Sequence, residues 1–142
     1  MKSILLIGVN HLGTLIARQM EDLGHEVMAV DRDEERINAI QHYVTDARIG
    51  DSTNEDFLAT LGVNNYDLCF VTIATDFESS LITTTLLKEM GAAQIIAHAN
   101  REIQERLLLK NGADVVIYPE KQTAAWVTRT FGKENEKSNF KK

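Results

Sequence analysis

Apolar residues along the chain fall into two alternating rhythms. Short, nearly continuous apolar runs occur at Ser3–Ile7, Glu26–Val30, Ala47–Ile49, Leu68–Ile73, Gln94–Ala97 and Val115–Ile117, and they read as strands. Between them apolar positions recur at helical spacing over about Leu12–Leu23, Glu34–Gln41, Glu55–Leu61, Phe77–Met90 and Glu102–Lys110, with a last helix from Glu120 to Thr130. Gly24, Gly62, Gly91 and Gly112 each follow a periodic segment, where a left-handed residue closes a helix. Strands apolar on both faces, joined by helices, predict a parallel sheet covered on both sides. Six of them predict a doubly wound α/β sheet in the order 3-2-1-4-5-6, built from two mononucleotide-binding halves. Pro119 falls in the first turn of the last helix, where a missing N–H costs nothing. The polar segment Lys133–Lys142 reads as a disordered tail, so the predicted domain spans residues 1–132.

Composition narrows the partners more than the fold. A chain of 142 residues buries roughly 68–70% of its extended surface, enough for a core without disulfide or metal staples. Acidic residues outnumber basic ones 21 to 15, for a net charge of −6, which argues against a nucleic-acid partner. Cys69 has no second cysteine to pair with and reads as a small buried hydrophobe in a reducing, cytosolic compartment. No run reaches the ~18 apolar residues of a bilayer span, so any service to a membrane goes through a partner and not through insertion.

The chemistry concentrates where strands end. Gly8-Val9-Asn10-His11-Leu12-Gly13 lies directly after the first strand and opens the first helix, the context of a dinucleotide fingerprint in a Rossmann-like fold. Gly8 makes the tight turn and Gly13 lets the helix pack closely on the strand, but the middle glycine, past which a pyrophosphate runs, is replaced by Asn10. The Asn10 side chain takes up space at the phosphate position. Asp31 ends the second strand eighteen residues after Gly13, near the usual spacing of the carboxylate that accepts ribose hydroxyls and repels a 2′-phosphate. This favours NAD(H) or ATP, ADP or AMP over NADP. Arg32 beside it softens that discrimination, and the alternative is that Asp31 or Asp33 caps the next helix. The loops Gly50-Asp51-Ser52-Thr53 and Ala74-Thr75-Asp76 follow strands three and four, where such sheets bind ligands. Each also reads as a helix start, with Ser52 and Glu55, or Thr75 and Glu78, at capping-box spacing.

No catalytic constellation accompanies these motifs. His11 and His98 fall at strand ends and His25 and His42 at surface positions, without a Ser or Cys nucleophile set beside a base and its orienter. A dehydrogenase also needs a second domain to hold its substrate, so a non-enzyme is expected, with a small NAD-dependent oxidoreductase cofactor domain as the alternative. An assembly module that has lost its ligand is a further alternative. Trp126, Val127 and Phe131 give the last helix an apolar side that meets either the chain's own core or a second subunit.

These residues resemble the RCK or KTN (TrkA-N) domain of Trk- and Ktr-type potassium transport subunits, over about Lys2 to Phe131. The resemblance rests on Gly8–Gly13, Gly24-His25-Glu26-Val27 leading to Val30-Asp31, Gly50-Asp51-Ser52-Thr53 and the Thr83–Glu89 stretch. Most specific is Gly112-Ala113-Asp114-Val115-Val116-Ile117-Tyr118-Pro119-Glu120-Lys121. It implies a cytosolic regulator without catalysis, assembled as dimers and then a ring of eight beneath a membrane potassium channel or transporter. The resemblance further implies that nucleotide changes the shape of that ring. The sensor domain of a proton-coupled cation antiporter is the neighbouring reading. By the family pattern Gly8, Asn10 and Gly13 face the phosphates, Asp31 the ribose, and residues 51–53 with Ala74 and Thr75 the adenine. His11 and His98 stand where other members carry Arg or Lys toward terminal phosphates, which implies tighter polyphosphate binding as pH falls. Glu120 matches a position that binds a cation at a dimer interface in some members, or else is a first-turn acid favoured by the helix dipole. The chain is read as a single-domain member of that family or as a piece of a longer one.

Overall fold

A computed structural model of the chain describes residues 1–133. The tail reading concerns residues that, Lys133 apart, lie outside this range. The order of elements is β1 (Ser3–Ile7), α1 (His11–Asp22), β2 (Glu26–Asp31), α2 (Glu34–Ile40), β3 (Asp46–Ile49), α3 (Glu55–Ala59), β4 (Leu68–Val71), α4 (Phe77–Glu89), β5 (Ile95–His98), α5 (Glu102–Lys110), β6 (Val115–Ile117) and α6 (Pro119–Phe131). Short 3₁₀ turns follow α2 at Gln41–Tyr43 and α3 at Val63–Asn65. The sheet is parallel throughout, in the expected order β3-β2-β1-β4-β5-β6.

The strands divide their side chains between two cores because successive residues point to opposite faces. Leu5, Ile7, Met28, Val30, Cys69, Val71, Ile95 and Ala97 pack against Leu58 of α3, Leu87 of α4 and Leu108 of α5. Ile4, Leu6, Val27, Ala29, Phe70 and Ile96 pack against Ala17 of α1 and Ile37 and Ile40 of α2. With both faces covered, the carboxyl ends of β1 to β4 emerge together at one edge of the body, and the strand order reverses between β1 and β4. That reversal opens a crevice.

Two helix starts differ from the expected capping boxes. Asn54, not Ser52, caps α3, its side chain accepting the Phe57 N–H at 3.2 Å. Asp76, not Thr75, caps α4 and accepts from Ser79 N–H at 3.1 Å. Ser52 is drawn inward instead, where its hydroxyl shares a buried 2.7 Å hydrogen bond with Thr83 on α4. The sixth helix stands apart. Not one residue of α6 is buried, and Trp126 and Phe131, with ring centroids 6.0 Å apart and edge to face, remain about half exposed. The chain's own core therefore does not take up the apolar side of α6. Among the described residues no helix is long and apolar enough to cross a membrane.

Candidate functional site

The Gly8 turn is built by backbone. Gly8 has φ +106°, and a Cβ there would come within 2.8 Å of the Thr72 carbonyl carbon, so only glycine fits. Gly8 N–H donates to the Val30 carbonyl at 2.9 Å, and Thr72 N–H to Ile7 at 2.8 Å, carrying the sheet pattern past the strand ends. The buried Thr72 hydroxyl donates to the Gly8 carbonyl at 2.7 Å. A Cβ at Gly13 would overlap the Gly8 carbonyl oxygen, which explains the close seating of α1 on this turn.

Two side chains then lock the loop. Asn10 is the N-cap of α1, its Oδ1 accepting the Gly13 N–H at 2.8 Å. Asp31, buried at the end of β2, accepts the Val9 N–H on Oδ2 at 2.8 Å and the Asp33 N–H on Oδ1 at 2.9 Å. Asp33, not Asp31, caps α2, accepting from Glu35 N–H at 2.9 Å. Asp31 thus ties the β1–α1 turn to the β2–α2 turn, and each of its oxygens keeps a further lone pair for a ligand hydroxyl.

The cleft at the strand reversal brings together Gly8, Asn10, Asp31, Arg32, Asp51, Ser52, Ala74 and Thr75 of the residues expected from sequence. Gly50 and Asp76 of the loops already named also line it, and it adds Arg36, Thr72, Ile73 and Ser79. Both guanidinium groups of the cleft are engaged: Arg32 lies 3.6 Å from Asp76, and Arg36 lies 3.6 Å from Asp31 and 3.7 Å from Asp33. The Thr53 hydroxyl and N–H hold the Asp51 carboxyl below its ordinary pKa, and those of Ser79 do the same for Asp76.

The other expected residues lie elsewhere. Gly13 is buried beneath the turn, Leu12 is the second residue of α1, and Thr53 faces back onto Asp51. His11 lines a second, more open groove between α1 and α2, where Arg18 stacks 3.9 Å above the Tyr43 ring. His98 is buried at the end of β5, with no hydrogen-bond partner for Nδ1 among the described residues. Burial lowers its pKa, and the nearby charge of Glu120 offsets this in part. Any gain of charge on His98 is thereby placed below the ordinary histidine range. Glu120 is exposed in the first turn of α6, and among the described residues no three His, Cys, Asp or Glu side chains are grouped to hold a metal.

The family model for the TrkA-N domain matches residues 4–119, the span that contains the whole cleft. The chain belongs to the TrkA-N family. This TrkA-N chain is 36% identical over 134 residues to "Ktr system potassium uptake protein A" of Bacillus subtilis (strain 168), covering 94% of the chain. It spans 60% of that relative's length. Among solved structures the TrkA-N fold superimposes with a TM-score of 0.73 on "GsuK channel bound to NAD", at 18% identity, covering 83% of this chain and 21% of that one. It superimposes with a TM-score of 0.71 on "Shewanella denitrificans Kef CTD in AMP bound form", at 18% identity, covering 86% and 74%.

Proposed function

We propose that this TrkA-N domain is a cytoplasmic, non-catalytic regulatory module of a potassium channel or transporter, which senses NAD(H) or an adenine nucleotide and transmits its occupancy through a homo-oligomer. The observation that carries the reading is the cleft at the β1/β4 reversal, with Asp31 joined to the glycine turn and three polar loops converging on it. The named relative acts in potassium uptake, and the two solved neighbours hold ligands that share an adenosine monophosphate moiety. Asp31 faces the ribose and residues 51, 52, 74 and 75 the base. Ligand acts on a pore only as far as it binds one arrangement of the assembly better than another. The unburied apolar side of α6 supports association with a second copy or with the membrane subunit.

Calorimetric titration with NADH, NAD, NADPH, ATP, ADP and AMP tests the reading. Micromolar binding of at least one adenine ligand, with NADPH excluded, is expected; absence of any binding would overturn it. In that case the second reading, an assembly domain without ligand, is favoured by the engagement of Asn10 in the helix cap.

A further inference from the structure

We propose that Asn10 competes with ligand phosphate for the first turn of α1, so that the cleft selects its ligand through the nucleoside and gains little from added phosphates. The inference rests on the nucleotide reading above and concerns which part of the nucleotide supplies the affinity.

A helix opening at a glycine turn binds a pyrophosphate through its first N–H groups, which have no partner within the helix. Here the third of them, on Gly13, is already taken by Asn10 Oδ1 at 2.8 Å. Gly13 lies beneath the turn and Asn10 stands between it and the cleft lining, so a phosphate gains that donor only by displacing the amide and giving up the cap. Because Asn10 also lines the cleft, cap and phosphate contend for one place.

The charges act in the same direction. Polyphosphate binding wants uncommitted cations, and no lysine lines the cleft. Arg32 lies 3.6 Å from Asp76, and Arg36 lies 3.6 Å from Asp31 and 3.7 Å from Asp33, so the charge of each guanidinium is already offset by a carboxylate before a phosphate arrives. Asp31, Asp51 and Asp76 line the cleft against these two arginines, leaving its wall with a net negative formal charge. Such a wall repels each added phosphate but accepts hydrogen bonds from ribose hydroxyls and an adenine amino group. The ligand class that fits is an adenine nucleoside with little phosphate charge.

The test compares adenosine, AMP, ADP and ATP by calorimetry on the wild-type chain and on Asn10→Gly, Asn10→Ala and Asn10→Ser. The wild type is expected to bind all four within about threefold. Ala removes the competing cap and should improve ADP relative to adenosine about fivefold, the worth of one typical cap against alanine, and Gly should move the ratio in the same direction by less. Ser caps as Asn does and should keep the wild-type ratio, whereas a Ser ratio matching Ala would assign the effect to bulk and overturn the proposal. A wild type that prefers ADP to adenosine tenfold, or Gly and Ala variants that move both ligands alike, would also overturn it. If the wild type binds nothing while Asn10→Gly binds ADP, the nucleotide reading of the native chain falls and the competition stands; if neither binds, both fall. Circular dichroism confirms folding, and Ala substitutes for Gly should the glycine variant unfold.

Discussion

Asp31→Asn is the perturbation that separates the scaffold role of the cleft carboxylate from its role toward ligand. In the native chain the two carboxylate oxygens accept two backbone donors, Val9 N–H at 2.8 Å and Asp33 N–H at 2.9 Å, from a buried position. An asparagine of the same shape can accept one of them but must turn its NH₂ toward the other. One charge-assisted bond, worth about 1.5–3 kcal/mol, is lost, and a buried donor is left facing a donor. Relief of the buried charge returns part of this, and losing the pair with the half-exposed Arg36 at 3.6 Å adds little to the cost. The expected net loss is about 2–3 kcal/mol, a large share of the 5–15 kcal/mol typical of a domain. In urea, with a slope of about 2 kcal/mol per M, the midpoint should fall by about 1–1.5 M. Asp33→Asn is the control: Asn caps a helix as well as Asp, so its midpoint should move by less than about 0.25 M. An Asp31→Asn midpoint as close to wild type as that of Asp33→Asn would refute the scaffold role. Because the scaffold effect exists without ligand, loss of nucleotide binding in this variant reports on ribose only under conditions where the variant is shown to be folded.

Thr72→Val keeps the shape of the side chain but removes the donor to the buried Gly8 carbonyl, and should cost about 1–2 kcal/mol in chemical denaturation; a neutral or stabilising result would mean that the turn does not depend on it. For His98, burial sets the folded pKa below the unfolded value near ~6.5, so the unfolded state takes up a proton first as pH falls. Its contribution to stability is therefore intact above that value and erodes below it, down to the folded pKa. His98→Gln should narrow the stability difference to wild type between pH 7.5 and 5.5, and denaturation curves that shift in parallel at the two pH values would contradict this. Burial pushes the Cys69 thiol up to about 12, so a disulfide-exchange reagent should label the native protein at least about a thousandfold more slowly than the denatured one. Rapid labelling of the native chain would show that β4 is not the closed strand described.

The sheet was legible because two rhythms, continuous apolar runs and helical spacing, admit little besides a doubly wound arrangement. Element ends were less so. β4 stops at Val71 although the β-branched Thr72 and Ile73 extend the strand-like run, and both of these line the cleft beyond the strand end. The helix caps show what local patterns leave open: Ser52 and Asn54 both precede α3, and only the approach of Thr83, thirty-one residues away, draws Ser52 inward. Arg36 carries no sequence signal, since an arginine in a helix's first turns resembles any solvated residue, and only the tertiary fold sets it against Asp31. Thr72 did carry a trace, a hydroxyl at the end of a buried apolar strand. Asn10 stood out at once as a departure from the glycine pattern, but its partner on Gly13 follows from backbone geometry and not from composition.

The position of β1 at the middle of the sheet has a consequence for synthesis. Of the six strands β1 is made before the other five, and β2 pairs with it after only a short helical crossover. Its other neighbour, β4, begins at Leu68. Until that strand is made, the apolar run Ile4–Ile7 presents an open hydrogen-bonding edge that the native molecule never exposes. Such an edge is a template for pairing with other chains, and closing it over a long sequence separation is slow. A chain stalled or cleaved before β4 is therefore expected to associate through β1, whereas one extended beyond Val71 has that edge sealed.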